Sequence, residues 1–457
     1  MKIVHVPFVF YPDPVGGTEV YVAALATALT RQGHPSIVAA PGSRDALYNY
    51  EGLLVHRFAV SDRIEDASEV YGDGDAGAAK RFGRILDREQ PDIVHLHAFT
   101  RACSVMLARE AKQRRIPLVF TYHTPTVSCQ RGTLMEWGQQ PCDGEIRVAR
   151  CTGCTLQGLG VNPAGSRVLA RMPIAIGSTL GAAGLRGGVW TALRMSSLID
   201  RRAAAAAQLF AMVDRFVALT PWVHAVLTRN GVPEERIVAS PHGIPPAAAQ
   251  EIAVATPRAG KLRIAHLGRL DPVKGTALLI RALRRVPDAP LTVDIFGILQ
   301  DGRDVAVLAE LRRLAHGDSR LRFLPAVEHA TVVHRLAEYD VLAVPSQWME
   351  TGPLVVLEAF AAGIPVLVSA LGGLAEKVTD GVNGLLVTPH DSIDAWGAAL
   401  KRCAEDRELM LRLRPGIRRP RSVTDVADDM LTLYRDLVPG SRSDAVATRS
   451  VVRAIGG

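Results

Sequence analysis

The sequence predicts an α/β protein: two doubly wound parallel sheets, one per domain, facing a central cleft. Three observations lead there. Short apolar runs alternate with segments whose apolar residues recur at helical spacing. The alternation starts afresh after residues 253–260, where Pro257 and Gly260 mark a linker. The 457 residues suffice for two or three domains of about 100–200 residues each. Sheets of this kind bind ligands beyond their strand carboxyl ends, so two of them put a cleft between the domains.

In the first half, residues 2–7 read as a buried strand followed by a Pro- and Gly-rich turn. Val20, Ala24, Leu25, Ala28 and Leu29 then recur at helical spacing until Gly33 supplies a C-terminal cap. Strands follow over 36–40, 93–96 and 118–121, with a helix over 101–115. In the second half strands are expected over 262–267, 291–296, 321–324, 341–344, 366–369 and 385–387. Helices are expected over 276–286, 305–315 and 354–362. The predicted organisation is a first domain over 1–253 with a Cys-rich insertion over 125–202, and a second over 261–421. An amphipathic helix within 422–438 is expected to cross back to the first domain, leaving 439–457 as a tail.

Composition excludes disorder and fibrous classes, with 48% hydrophobic and 22% charged residues. A formal net charge of +7 suits anionic ligands, nucleic acid or an acidic membrane surface without choosing among them. The N-terminal apolar run stops at Pro7, too short for a signal peptide, and no long apolar stretch follows. A cytoplasmic protein is expected.

Three segments of the second domain carry chemistry. In the first, Gly268 and Arg269 end a strand, and Lys274 and Gly275 enter a helix. This pattern places positive charge beside a helix N-terminus, as a phosphate requires; a basic loop that only caps the helix is the plain alternative. In the second, Glu350, Gly352, Pro353, Leu354 and Glu358 span a loop and the helix after it, with Pro353 expected as the first helical residue. Carboxylates so placed accept hydrogen bonds from paired sugar or ribose hydroxyls, and Gly352 lets backbone amides face a diphosphate. Glu358 stands among Leu354, Val355, Leu357 and Phe360, which argues against a solvated face. The third, Gly372 and Gly373 before Glu376, is a glycine-rich strand-to-helix turn.

These residues resemble the GT-B retaining glycosyltransferases, specifically glycosyltransferase family 4. Glu350 and Glu358 match that family's E-x7-E motif, and Gly268, Arg269, Lys274 and Gly275 its G-R-L-x-x-x-K-G-like motif. Gly363 with Pro365, the Gly372-Gly373 pair and the run Asp380 to Gly384 also look like the family. So does the first glycine-rich loop, with Gly16 and Gly17, and the later Gly33-His34. The sequence departs from the pattern at Gly297, a single glycine, at Pro325, and at Pro241-His242-Gly243, where Asn-Gly is usual.

The resemblance implies a nucleotide diphosphate-sugar donor in the second domain and a glycan, lipid-linked or small-molecule acceptor in the first. Arg269 and Lys274 would neutralise the leaving diphosphate, Glu358 would bind the ribose and Glu350 the transferred sugar. Gly16, Gly17, Gly268, Gly297, Gly352, Pro353 and Leu354 complete the implied donor set. His123 matches a family position facing the anomeric centre; a neutral core histidine is the alternative. The implied chemistry is front-face transfer with retention, needing no cofactor, in polysaccharide or glycoconjugate synthesis. A GT-B epimerase or phosphorylase, and a catalytically inactive GT-B-like binding protein, are the alternatives.

Two further features stand apart. Cys129, Cys142, Cys151 and Cys154 fall close together, the last two as Cys-x2-Cys in an apparently irregular loop. Four thiolates close a tetrahedral site, so structural zinc is expected, with an iron–sulfur cluster or redox disulfides as alternatives. Cys103 and Cys403 read as buried thiols in helices. Beyond that loop, Arg167, Arg171, Arg186, Arg194, Arg201 and Arg202 dot an apolar stretch whose only acid is Asp200. They suggest a peripheral membrane patch for a lipid-linked acceptor, or a basic helical hairpin packed on the domain. Nucleic acid has no supporting motif.

Overall fold

The computed structural model describes residues 1–13, 16–245, 260–298 and 302–438. The predicted tail and most of the predicted linker lie outside that set. The chain divides into two compact units: Met1–Pro241 with the chain from Val426 onward, and His242–Asp425.

The first unit is built on an eight-stranded sheet. Its order is Ile237–Ala239, Arg215–Ala218, Leu118–Thr121, Ile93–Leu96, Ile3–Val6, Ser36–Gly42, Leu53–Ala59 and Ala46–Tyr50. All pairings are parallel except the last, where Ala46–Tyr50 turns antiparallel to Leu53–Ala59. That hairpin closes through Glu51 and Gly52, both at positive φ (49° and 86°), as a two-residue primed turn requires. Ile3–Val6 and Ile93–Leu96 are buried at every residue, as central parallel strands with both faces covered must be. The closing helix Val423–Leu437 ties to this unit through Tyr434, whose hydroxyl lies 2.7 Å from His95 Nδ1.

The second unit has six parallel strands in the order Leu321–Leu324, Leu291–Ile298, Leu262–Arg269, Val341–Val344, Val366–Ser369 and Gly384–Val387. Alternate side chains of these strands enter two different cores. Ile264, Val293, Ile295, Ala343, Leu367 and Leu385 pack in one with Trp396 and Leu283. Ala265, Phe296, Leu342, Val344, Val366 and Val368 pack in the other with Phe360 and Leu336. Period-two alternation with both sets apolar is what a doubly covered sheet demands. Each fully buried Leu, Ile or Val side chain stabilises the fold by about 1.5–3 kcal/mol of transfer free energy.

Some elements differ from the sequence expectation. The helix expected from Pro353 begins at Leu354, with Pro353 as its cap. The stretch expected as an irregular cysteine loop contains the helix Val148–Gly158, which carries Cys151 and Cys154, and a short hairpin, Met135–Glu136 with Gln140–Pro141. Cys403 is buried in the helix Ile393–Glu405, but Cys103 precedes the helix Val105–Gln113 and its thiol donates to Pro7 O at 3.4 Å.

Candidate functional site

In the second unit the three motif loops interlock. Leu262–Arg269 runs into a short turn, Pro272–Lys274, where the Asp271 carboxylate accepts from Val273 N at 3.0 Å. Gly275 follows at φ +73°, and a Cβ there would lie 1.9 Å from Pro345 O. Only glycine lets the Lys274 turn sit this close to the loop after Val341–Val344. Gln347 N donates to Val273 O at 2.7 Å, fixing the two loops together.

Lys274 thereby reaches Glu350, with Nζ 2.6 Å from Oε1. The Ser346 hydroxyl donates to the same oxygen at 2.8 Å, and the Trp348 ring centroid lies 5.1 Å from Lys274 Nζ. Glu350 is 5% exposed, so its carboxylate depends on these partners. The third loop joins through Gly373 N, which donates to Glu350 O at 2.7 Å. Ser346 and Trp348 were not singled out from the sequence; their signal is adjacency to Glu350 in a strand-end loop.

Glu358 sits in the helix Leu354–Ala361, and burial pushes its carboxyl up to about 7. His329 Nδ1 lies 3.4 Å from its Oε1, itself lowered from the usual histidine range by burial. His242 donates from Nδ1 to Gly352 O at 2.8 Å, and burial lowers it to about 3, so it is a neutral ring. A Cβ at Gly352 would lie 2.6 Å from that nitrogen. Gly352 is therefore required by packing within the unit.

The other donor-set glycines separate. At Gly268 an added Cβ would meet nothing within 4 Å, whereas at Gly297 it would lie 2.8 Å from Leu270 side-chain atoms. Gly297 has a packing reason of its own, and Gly268 has none. Arg269 ends its strand, paired in register with Ile298.

In the first unit, Gly16 and Gly17 open the helix Gly17–Arg31, and the Gly16 amide donates to Glu19 Oε2 at 2.9 Å. The Gly16 amide is therefore engaged within its own helix start. His123 lies at the end of a chain of buried imidazoles. Its Nε2 is 3.1 Å from His97 Nδ1, and His97 Nε2 is 3.1 Å from His5 Nδ1. His95 stands beside them, held by Thr121 Oγ1 and Tyr434 OH at 2.7 Å each. Burial lowers His5 to about 3 and holds His95 and His97 well below the usual histidine range. Sequence reasoning missed these three; the available signal was their position at carboxyl ends of parallel strands.

The four insertion cysteines line one small cavity of about 30 Å³, together with Arg131 and Arg150. All are free thiols. Cys154 Sγ accepts from Trp137 N at 3.3 Å and lies 3.8 Å from Arg131 Nη1 and Met135 O. Burial raises Cys142 and pushes Cys151 up to about 11. Among the described residues, the group whose potential ligand atoms all lie within 4.8 Å of one another is His5, His95 and His97, not the cysteines.

Half of the expected basic patch is paired with acids. Arg194 is buried on Asp66 (2.9 Å), Arg186 also reaches Asp66 (3.5 Å), and Arg201 pairs with Asp73 (2.9 Å). Arg202 is buried over the Phe99 ring. Beside exposed arginines the segment exposes apolar side chains: Val168, Ile174, Ile176, Val189 and Trp190, with Val189 73% exposed. Among the described residues no helix is long and apolar enough to cross a membrane.

With this geometry in hand, comparison with known proteins is specific. Residues 249–419 match the family model "Glycosyl transferases group 1", and residues 15–152 match "Glycosyltransferase Family 4". The chain is thus similar to group 1 and family-4 glycosyltransferases, one model in each half. Among curated relatives, D-inositol 3-phosphate glycosyltransferase of Nocardia farcinica is 33% identical over 222 residues, 45% of this chain and 48% of that protein. The enzyme of the same name from Xylanimonas cellulosilytica is 38% identical over 158 residues, 34% of this chain and 37% of that one. The chain thus spans about half or less of the length of the curated relatives it matches. Among solved structures, a sucrose-phosphate synthase from Thermosynechococcus elongatus superimposes with TM-score 0.65 at 19% identity, covering 96% of this chain and 100% of that one. Anabaena HepE in complex with UDP and glucose gives 0.61 at 18% identity, covering 95% and 99%. These likenesses establish the GT-B fold.

Proposed function

We propose that this chain is a retaining glycosyltransferase that moves a sugar from a nucleoside diphosphate-sugar to a hydroxyl acceptor. The observation that carries the reading is the buried Lys274–Glu350 pair, held where three strand-end loops meet. Lys274 and Arg269 take the diphosphate, a role that stabilises the charge developing on the leaving group by several kcal/mol. Glu358 accepts from the ribose hydroxyls and Glu350 from hydroxyls of the sugar. In the first unit His123, within hydrogen-bond distance of His97, hydrogen-bonds the transferred sugar. The acceptor hydroxyl attacks the anomeric carbon on the face the diphosphate leaves. Its proton passes to the departing phosphate oxygen, so no divalent ion is needed for the transfer. The named relatives act on an inositol phosphate and HepE holds UDP and glucose, which supports a nucleotide-sugar donor here.

The acceptor we favour is lipid-linked. No acidic residue occurs between Glu145 and Asp200, and Ile174, Ile176, Val189 and Trp190 stand exposed in that stretch. An apolar helical surface flanked by Arg167 and Arg171 suits shallow insertion at a lipid interface. With most other arginines paired internally, insertion is driven by apolar contact and depends weakly on salt.

The test is calorimetric titration of nucleoside diphosphates into the full chain, followed by a transfer assay on the donor so identified. Lys274→Ala and Arg269→Ala should each weaken diphosphate binding at least about tenfold, the worth of one charge-assisted contact. Unchanged affinity in both variants would remove the diphosphate assignment.

A further inference from the structure

We propose that Cys129, Cys142, Cys151 and Cys154 together bind one structural zinc ion, which staples the segment directly after His123. The four thiols come from three different pieces of backbone. Cys129 follows the turn Pro125–Val127, Cys142 follows the strand Gln140–Pro141, and Cys151 and Cys154 lie one helical turn apart on Val148–Gly158. They nonetheless border one cavity. Three residues of spacing puts Cys151 and Cys154 on one helix face, where both can serve one ion.

The cavity is small, which favours a single ion. About 30 Å³ admits a single ion or water, whereas a cluster of several irons and sulfides needs far more room. Soft thiolates select zinc among the common single divalent ions, and four of them fill its tetrahedral shell without leaving a position for substrate. The site is structural for that reason.

The surroundings match the charge such a centre carries. Zinc with four thiolates is a dianion. Arg131 and Arg150 line the cavity, Arg150 also pairing with Asp143 at 2.5 Å. Arg202 is buried with no carboxylate partner among the described residues, and its Nε is unpartnered. Buried guanidinium charge left this way is costly unless an anion lies nearby. Trp137 N–H already points at Cys154 Sγ, the kind of amide–sulfur bond that supports a thiolate ligand.

The helix Val148–Gly158 packs Leu156 on Met195, Leu198 and Ile199, but the chain before it is irregular. Leu134 and Trp137 adopt positive φ (50° and 53°) without being glycine, and the local sheet is a hairpin of two-residue strands. Such a knuckle is too small to bury its own core and gains most from a cross-link. Binding displaces the four thiol protons and draws the sulfurs, which do not converge to within 4.8 Å as the histidine group does, to about 2.3 Å from the ion.

Elemental analysis of the full chain, purified from cells supplied with both zinc and iron, tests this independently of any transfer activity. The expected result is one zinc per chain, released on titration of the thiols with a mercurial and detected with a chromogenic chelator. Cys142→Ser and Cys151→Ser should lower zinc content several-fold, while Cys103→Ser and Cys403→Ser leave it unchanged. If the insertion variants do not fold, the wild-type stoichiometry and mercurial release still decide. No stoichiometric zinc, iron with acid-labile sulfide, disulfides by mass, or full zinc retained in the folded Cys151→Ser variant would each overturn the proposal.

Discussion

The two units centre their candidate sites on different buried groups. The first uses imidazoles: His5, His97 and His123 form a hydrogen-bonded chain, and burial keeps His5 and His97 uncharged. The second keeps charge, in the Lys274–Glu350 pair, beside the buried carboxyl of Glu358. A neutral imidazole offers one donor and one acceptor, which suits sugar and acceptor hydroxyls. A lysine held by a carboxylate suits a polyanion, because the cation can shift to the ligand while its partner stays solvated by Ser346. The contrast teaches that the chemistry of each ligand half is readable from the charge state of the groups buried near it.

The largest expected effect comes from breaking the charged side. Lys274→Ala should lower kcat/KM for transfer by about 10²–10³-fold, the usual cost of removing an aimed charge. It should also cost about 3 kcal/mol of stability by stranding Glu350, read by urea denaturation. The double variant Lys274→Met, Glu350→Gln separates the two losses. Stability should largely return because no charge is left unpaired, and transfer should not.

The neutral side should break with acid. The rings of His5, His95 and His97 have folded-state pKa values far below the unfolded value of about 6.5. Below that value the unfolded chain binds protons that the fold refuses, so their contribution is present above pH 6.5 and is lost as pH falls. Each ring accounts for up to about 1.4 kcal/mol per pH unit below pH 6. Denaturation of wild type against His5→Leu at pH 7 and pH 5 checks this; the leucine variant should have the shallower slope. Equal slopes would mean that His5 is already charged in the fold.

Much of the fold was legible because parallel strands write themselves as apolar runs. Ile93–Leu96, Leu118–Thr121 and Val341–Val344 stand where their sequence places them. The hairpin Ala46–Tyr50 with Leu53–Ala59 was not read, because its turn is Glu51-Gly52 rather than Asn-Gly and Ala46–Tyr50 is an edge strand with an exposed face. At the site, spacing brought forward Lys274, Glu350 and Glu358, since each belongs to a short local pattern. His5, His95 and His97 escaped because they converge from separate strands, 92 residues apart between His5 and His97. Sequence spacing also says nothing of which glycine serves packing and which leaves space.

That last ambiguity yields a smaller effect on the charged side. Gly297→Ala should cost about 1–3 kcal/mol, because the new methyl meets Leu270 at 2.8 Å. Gly268→Ala, with nothing within 4 Å, should leave stability within about 0.5 kcal/mol and weaken only donor binding. Thermal unfolding and diphosphate titration on both variants read the two quantities separately. A Gly268→Ala chain that binds donor normally would show that no ligand approaches that backbone.

The smallest effect sharpens the comparison most, because its sign is reversed. Burial raises Glu358 to about 7 from the ordinary carboxylate value, so the fold holds its proton more tightly than the unfolded chain does. Its contribution to stability is present below about pH 4.5 and is lost as pH rises through 7, opposite to the histidines of the first unit. His242 and His266, buried in the same unit and lowered to about 3 and 4, run in the histidine direction, so the Glu358 part is seen only against Glu358→Gln. Ligand binding should follow the charged form. The carboxylate accepts from two ribose hydroxyls and the neutral acid from fewer, so nucleoside diphosphate affinity should rise by less than about tenfold between pH 6 and pH 8. Glu358→Gln, unable to ionise, should bind more weakly at pH 8 and lose that slope. A glutamine variant that kept the slope would move the titration to another group and take the ribose away from Glu358.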